Sequence, residues 1–313
     1  MKVIVTGGAG FIGSHFVNLL LRDPSISPQI EELVVLDAFT YAADENRLSA
    51  SISDPRLRII RGSILDETLL VSLIPGTRFV FNFAAESHVD NSIRNPKVFL
   101  ETNILGVQAL LNVICSHTET ELIQVSTDEV YGEVLEGESD ENDVMNPSSP
   151  YSASKAAAEL LIMSAKRTYG VKTRITRGSN TYGEGQFPEK IIPFFVQRAL
   201  EGKSLPLYGD GKQTREWLHV QDHAKGIWLA ALKGKSGDVF NLGSGVHLTN
   251  LDVAQKILTQ LSLPLDRISF VEDRKGHDRR YSVNSSKAKM SLGFNPDVYF
   301  DDNLKRLIRN SSL

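Results

Sequence analysis

Lys2-Val3-Ile4-Val5-Thr6-Gly7-Gly8-Ala9-Gly10-Phe11-Ile12-Gly13 follows the first methionine of the chain. Lys2, Val3, Ile4 and Val5 make a short β-branched run of the kind that forms a buried strand. Residues 11–21 then carry apolar side chains at helical spacing. Between the two, the glycines satisfy G-x-G-x-x-G from Gly8 and G-x-x-G-x-x-G from Gly7. Glycine is needed where a chain turns this sharply and its backbone must come close to a pyrophosphate. The helix start adds unpaired N–H groups and the positive end of a dipole. Alone, the pattern also fits a glycine turn without a ligand. Between a strand and a helix, it predicts the first βαβ unit of a dinucleotide-binding sheet. Asp37 ends the next strand, where an acid bonds the adenosine ribose hydroxyls and repels a 2′-phosphate. The expected cofactor is therefore NAD rather than NADP.

The alternation continues along the chain. Residues 33–36, 57–60, 79–82, 122–125 and 173–176 read as further buried strands, with helical patterns at 103–114 and 154–169. Strands alternating with helices predict an α/β fold, a Rossmann-like doubly wound parallel sheet. After about Arg177, Gly- and Pro-punctuated chain predicts a smaller, mixed α/β substrate lobe. Residues 239–242 read as a late strand that rejoins the first sheet, and 251–261 as an amphipathic helix behind a Thr249-Asn250 start. The expected division is 1–177 with about 214–245 for the NAD-binding domain, and 178–213 with 246–313 for the second lobe. Residues 309–313 read as a frayed end.

With 41% hydrophobic residues among 313, the chain can bury a sizeable core. A net charge of -4, with acids and bases interleaved, gives no basic face for nucleic acid. No stretch approaches roughly 18 consecutive apolar residues, and the first residues lack the pattern of a signal peptide. No membrane partner is expected, and the cytoplasm is the expected compartment. Cys115, the only cysteine, reads as a small buried hydrophobe. His88 has no second His or Cys at ligand spacing, so no metal is expected. Trp217 and Trp228 read as core residues.

Tyr151 and Lys155 form Tyr-x-x-x-Lys behind a helix entry at Ser148-Ser149-Pro150. Four-residue spacing puts both side chains on one helical face. A tyrosine hydroxyl titrates near about 10. An adjacent ammonium and a cationic nicotinamide ring are expected to lower that value and make Tyr151 a base. The competing reading is a solvated helix face. Asp128 and Glu129 follow the strand that ends at Val125-Ser126, where ligands of open α/β sheets bind. They read either as caps of the next turn or as a proton-transfer pair. Removal of water suits the pair, since one group must take a carbon-bound proton and another must protonate the departing hydroxyl.

TGGAGFIGSH from Thr6, FAAESHVD from Phe83, VSTDEVYG from Val125, PYSASK from Pro150, YGDGKQTREWLHVQDH from Tyr208 and DRKGHDRRYS from Asp273 together resemble the dTDP-glucose 4,6-dehydratases, which are extended short-chain dehydrogenases/reductases. The likeness runs over residues 1–294, and the Asp-Glu pair separates these dehydratases from the otherwise similar sugar epimerases, which carry short Ser/Thr residues there. The resemblance implies that Tyr151 takes the hydroxyl proton at sugar carbon 4 while hydride passes to NAD, with Thr127 orienting the oxygen. Glu129 then takes the proton on carbon 5 as Asp128 protonates the leaving hydroxyl on carbon 6, and hydride returns to carbon 6. Asp128 must be protonated at that step, so burial and Glu129 are expected to raise its pKa.

The resemblance also implies a cofactor set of Gly7, Gly10, Phe11, Ile12, Gly13, Asp37 and Thr40, then Ser63, Ile64, Ala84 and Ala85, with Tyr151, Lys155 and Asn180. For the nucleotide sugar it implies Ser87, Thr127, Asn180, Glu189 and Lys190. Pro206 and Tyr208 would sandwich the base, Arg215 and Arg274 with His277 would face the pyrophosphate, and Asn250 would bond base or ribose. Homodimer formation is implied through 103–115 and 154–169. The chain departs from the family at Ala38, Ser63, Asn91, Thr181 and Glu184-Gly185. Ser63 stands for an Asp beside the adenine, Asn91 for an Arg and Thr181 for an Asn. Rival readings are a nucleotide-sugar epimerase or decarboxylase, and a catalytically silent NAD-binding protein.

Overall fold

Val3, Ile4 and Val5 are buried, as are Leu33, Val34, Val35 and Leu36. Such runs suit strands covered on both faces. In the computed structural model, which describes residues 1–311, they lie in a seven-stranded parallel sheet. Its strands are β1 (Lys2–Thr6), β2 (Glu32–Asp37), β3 (Leu57–Arg61), β4 (Thr77–Asn82), β5 (Glu121–Thr127), β6 (Lys172–Gly178) and β10 (Val239–Leu242). The order β10-β6-β5-β4-β1-β2-β3 reverses between β1 and β4. Ligands of doubly wound sheets bind at the carboxyl ends beside such a switch point.

Helices α1 (Phe11–Arg22), α8 (Val220–Lys233) and α10 (Ser286–Leu292) cover one face, where Phe16, Ile227, Trp228 and Leu292 share a core. On the other face, α2 (Glu67–Leu73), α5 (Gly106–Ile114) and α6 (Pro150–Tyr169) bury Leu70, Leu110 and Ile162. Two short helices, α3 (Val89–Arg94) and α4 (Pro96–Leu100), lead through a π-helical turn (Glu101–Leu105) into α5.

The second lobe holds a three-stranded sheet of β7 (Asn180–Tyr182), β9 (Thr214–His219) and β11 (His247–Thr249), and a parallel pair, β8 (Leu205–Tyr208) with β12 (Ile268–Val271). Around Trp217 they pack α7 (Ile191–Leu200), α9 (Asn250–Gln260) and α11 (Phe300–Ser311).

Three boundaries differ from the sequence reading. The return to the first layer begins with α8 at Val220 rather than at about 214, because β9 pairs with β7 and β11. Ala288, Leu292 and Phe294, assigned above to the second lobe, pack into the core of the first. A side chain at Gly226 of α8 would press on the Phe294 ring, so glycine makes room for it. Finally, α11 continues to Ser311, past the fraying expected from 309, while residues 312–313 lie outside the described residues. The helical run Pro96–Ile114 is 19 residues long with mean hydropathy 1.2, enough by length and composition to cross a membrane, but half of it is buried in the fold. That is the pattern of a core helix.

Candidate active site

The turn after β1 is built as a cradle. Gly7 has φ +68°, and a Cβ there would lie 2.6 Å from the backbone nitrogen of Ala84. A Cβ on Gly13 would collide with the carbonyl oxygen of Gly7. These glycines bring β1, the segment after β4 and the first turn of α1 together more closely than side chains permit. No side chain caps α1 at Gly10, which leaves its first N–H groups for an anion. Asp37 is buried and its carboxylate accepts from Ala9 N at 2.9 Å and Phe39 N at 2.8 Å. It thus holds the turn from below.

From this cradle a cleft of about 1210 Å³ runs past the carboxyl ends of β4, β5 and β6. Gly7, Gly10, Phe11, Ile12, Gly13 and Ala85 line one end. Thr127, Asp128, Glu129, Tyr151, Lys155 and Asn180 line the middle, with Ser87, Glu189 and Lys190 at the far wall. These expected residues meet in one place. The other expected cofactor residues stand differently. Thr40 is exposed, and Ser63 Oγ accepts from Leu65 N at 3.1 Å in its own turn. The Ile64 side chain is buried in the core shared with α5, and Ala84 packs at its edge.

Helix α6 starts on a capping box, Ser149 with Ser152, and Pro150 sits in its first turn. Tyr151 and Lys155 follow on successive turns, both buried. Lys155 Nζ donates to Val125 O at 2.7 Å, and burial lowers its pKa to about 8 against the pull of Glu159. The Tyr151 hydroxyl is buried as well. Burial, then Glu129 and Asp128, push its pKa up, and the Thr127 hydroxyl only partly offsets them.

Thr127 caps the turn Asp128–Tyr131, its Oγ1 accepting from Glu129 N at 3.2 Å. The two acids that follow differ in surroundings. Asp128 is 2% exposed, and its Oδ2 has no hydrogen-bond partner. Burial, Glu129 and Glu216 raise its pKa well above the usual carboxylate range. Burial also raises Glu129, but Arg215, Arg274 and Lys190 pull it back. Burial thus favours the neutral form of Asp128, while at Glu129 three cations oppose that pull, an arrangement that sets an acid apart from a base.

The second lobe supplies those cations. Arg215 on β9 is buried, its guanidinium 4.3 Å from the Tyr281 ring centroid, and donates to Thr214 O at 2.8 Å and Asp278 O at 3.0 Å. Arg274 reaches Asp90 at 3.6 Å and has a buried Nε without a partner. His277 bonds Asp273 at 2.6 Å and meets Tyr208 edge to face at 5.9 Å. Pro206 and Tyr208 share β8, with Tyr208 exposed, and Asn250 opens α9. Lys190 Nζ donates to Ser87 O at 3.2 Å. Lining residues not assigned from the sequence include Thr181, Gln186, Phe187 and His223. His223 closes the motif quoted from Tyr208, but nothing in its spacing marks it. Among the described residues no group of three or more His, Cys, Asp or Glu could hold a metal ion.

A dinucleotide cradle, a tyrosine–lysine pair and an acid–base pair on a doubly wound sheet define a short-chain dehydrogenase/reductase of the extended type. The chain belongs to the family described as GDP-mannose 4,6 dehydratase, whose model it matches over residues 4–307. A dTDP-glucose 4,6-dehydratase of Actinoplanes sp. is 44% identical over 309 residues, covering 98% of this chain and 97% of the relative. The crystal structure of DesIV, a dTDP-glucose 4,6-dehydratase of Streptomyces venezuelae with NAD and dTDP bound, has a TM-score of 0.96 at 45% identity, covering 99% of this chain and 96% of that one. UDP-glucose 4-epimerase of Thermotoga maritima with UDP-glucose reaches 0.90 at 29% identity, covering 99% of both chains. Fold alone therefore does not separate dehydration from epimerisation.

Proposed function

We propose that the chain is an NAD-dependent dehydratase of a dTDP-hexose, dTDP-glucose above all, producing the 4-keto-6-deoxy sugar as a cytoplasmic homodimer. The observation that carries this reading is the adjacent acid pair in the cleft, a buried Asp128 with an unpartnered Oδ2 next to Glu129. An epimerase needs no such pair. The cradle at Gly7 and Gly13 and the uncapped start of α1 fit the pyrophosphate of a dinucleotide, and Asp37 beside it fits NAD.

Bound NAD supplies the hydride acceptor and, at the end, the hydride donor. Tyr151 takes the hydroxyl proton at carbon 4, with the Thr127 hydroxyl beside it to orient the oxygen. Glu129 takes the proton made acidic by the new ketone, and Asp128 gives its proton to the leaving hydroxyl. Lys155 lies one helical turn from Tyr151 and keeps a cation at this end of the cleft. Arg215, Arg274 and His277 face the substrate diphosphate from the second lobe, with Pro206, Tyr208 and Asn250 at the base and ribose.

Turnover of dTDP-glucose, read as the alkaline absorbance of the keto sugar, tests this. Glu129→Gln should lose roughly 10²–10⁴ in kcat, the usual worth of a general base. Epimerised product, or full dehydration by that variant, would overturn the assignment. A panel of nucleotide hexoses checks the thymidine and glucose preference.

A further inference from the structure

His223 lies on α8, 2% exposed, and lines the cleft. Its ring occupies the space in which a side chain at residue 178 would have to stand, since a Cβ on Gly178 would collide with Cε1 and Nε2. Gly178 ends β6 and pairs in register with Thr127 on β5. The ring therefore backs onto the reacting end of the cleft. Its approach is from the side of the dinucleotide, because α8 packs with α1, the helix that starts at the glycine cradle.

The hydrogen bonds around it favour one tautomer. Thr181 Oγ1 lies 2.8 Å from His223 Nδ1 and within 3.1 Å of Ser179 O, to which it can donate. With that proton on Ser179 O, the hydroxyl oxygen accepts from Nδ1–H and Nε2 is a bare lone pair. Nε2 is buried and has no partner. Burial lowers the pKa of the ring to about 4, so it stays neutral at physiological pH. A buried acceptor without a donor is costly unless a ligand supplies one.

We infer that His223 Nε2 is a cofactor-binding acceptor that takes an N–H of the nicotinamide carboxamide, with Thr181 as the residue that sets its tautomer. This assignment rests on NAD as the cofactor. An N–H or O–H donor in the cleft could also come from a sugar hydroxyl, and the position of α8 beside α1 favours the dinucleotide.

The test measures affinity by calorimetry on the whole chain without sugar, for NAD and for its 3-acetylpyridine analogue, which lacks the amide N–H. Wild-type protein should prefer NAD about tenfold, the worth of one buried hydrogen bond. His223→Leu should weaken NAD to the level of the analogue, and His223→Gln, with an acceptor oxygen at similar reach, should restore much of the preference. Equal affinities in the wild type overturn the assignment whatever the variants do. So does an undiminished preference in His223→Leu. Failure of the wild type to bind either dinucleotide would sink the cofactor reading itself, a result distinct from binding both alike.

Discussion

Asp128 and Glu129 are neighbours in the chain but not in electrostatic environment, and this contrast yields two measurable consequences. Asp128→Asn keeps the shape of the side chain but cannot release a proton, so kcat should fall by roughly 10²–10⁴. Stability should move the other way. The folded pKa of Asp128 is raised above its unfolded value. Its stabilising contribution is therefore fully present below the ordinary carboxylate range and is lost as pH rises through the raised value. Thermal melts should accordingly show Asp128→Asn gaining on the wild type at pH 8 relative to pH 5. A gain that is equal at both pH values would show that the folded carboxyl titrates normally. The acids, Tyr151 and Lys155 were legible in the sequence because type and spacing carry their chemistry. The burial of the Tyr151 hydroxyl, which pushes its pKa up, was not legible, since it depends on packing against distant parts of the chain. His223 was invisible for a similar reason, because its partner, Thr181, is 42 residues away.

Strand β5 and helix α6 are held to each other behind the site by a buried network. Arg177 of β6 donates to Glu159 on α6, to Oε1 at 3.2 Å and to Oε2 at 3.0 and 2.6 Å, and to the Tyr131 hydroxyl at 2.6 Å. Ser126, just before the catalytic segment, donates to the same carboxylate, and Tyr131 donates to Asn241 at 2.7 Å. Thus the turn carrying Asp128 and Glu129 and the helix carrying Tyr151 and Lys155 share one ion pair, with side-chain exposures of 2% and 0%. Arg177→Leu leaves Glu159 charged in a dry interior and should cost about 3–5 kcal/mol in urea unfolding. Removing both partners, as Arg177→Leu with Glu159→Leu, should cost less than Arg177→Leu alone. A single variant costing under about 1 kcal/mol would mean that water reaches the pair. The long strands were readable because both their faces are buried and their runs are almost wholly apolar. Strands β7 and β11, with three residues each, carry no such pattern. The helix expected from 103 is preceded by α4 and a π-helical turn, in which buried Asn103 donates its side chain to Glu86 O at 3.0 Å and Ser154 Oγ at 2.8 Å. Its neighbours in sequence give no sign of those distant partners.

At the scale of the molecule, the two-lobed plan was legible and its seams were not, since Phe294 returns to the first core through a space made by Gly226, 68 positions earlier. The proposed homodimer is tested at the same scale. Helix α4, the π-helical turn and α6 pack together and present Val98, Leu100, Leu105 and Leu160 outward, with 37%, 48%, 54% and 57% of their surfaces exposed. Ile93 on α3 adds a fifth, at 41%. Scattered apolar side chains are ordinary on a surface, but five on adjoining helices fit a two-fold interface in which the same patch meets itself. A second copy covering these helices would also bury the outer face of the apolar run Pro96–Ile114, whose inner half is already packed. Leu105→Lys with Leu160→Lys places charge on both contributing helices, at positions that touch neither the cleft nor the cores. The pair should convert a dimer to a monomer in sedimentation equilibrium and leave NAD affinity within about twofold, as expected for distant surface changes. A wild-type chain that sediments as a monomer at micromolar concentration, or a double variant that remains dimeric, would place the interface elsewhere or remove it.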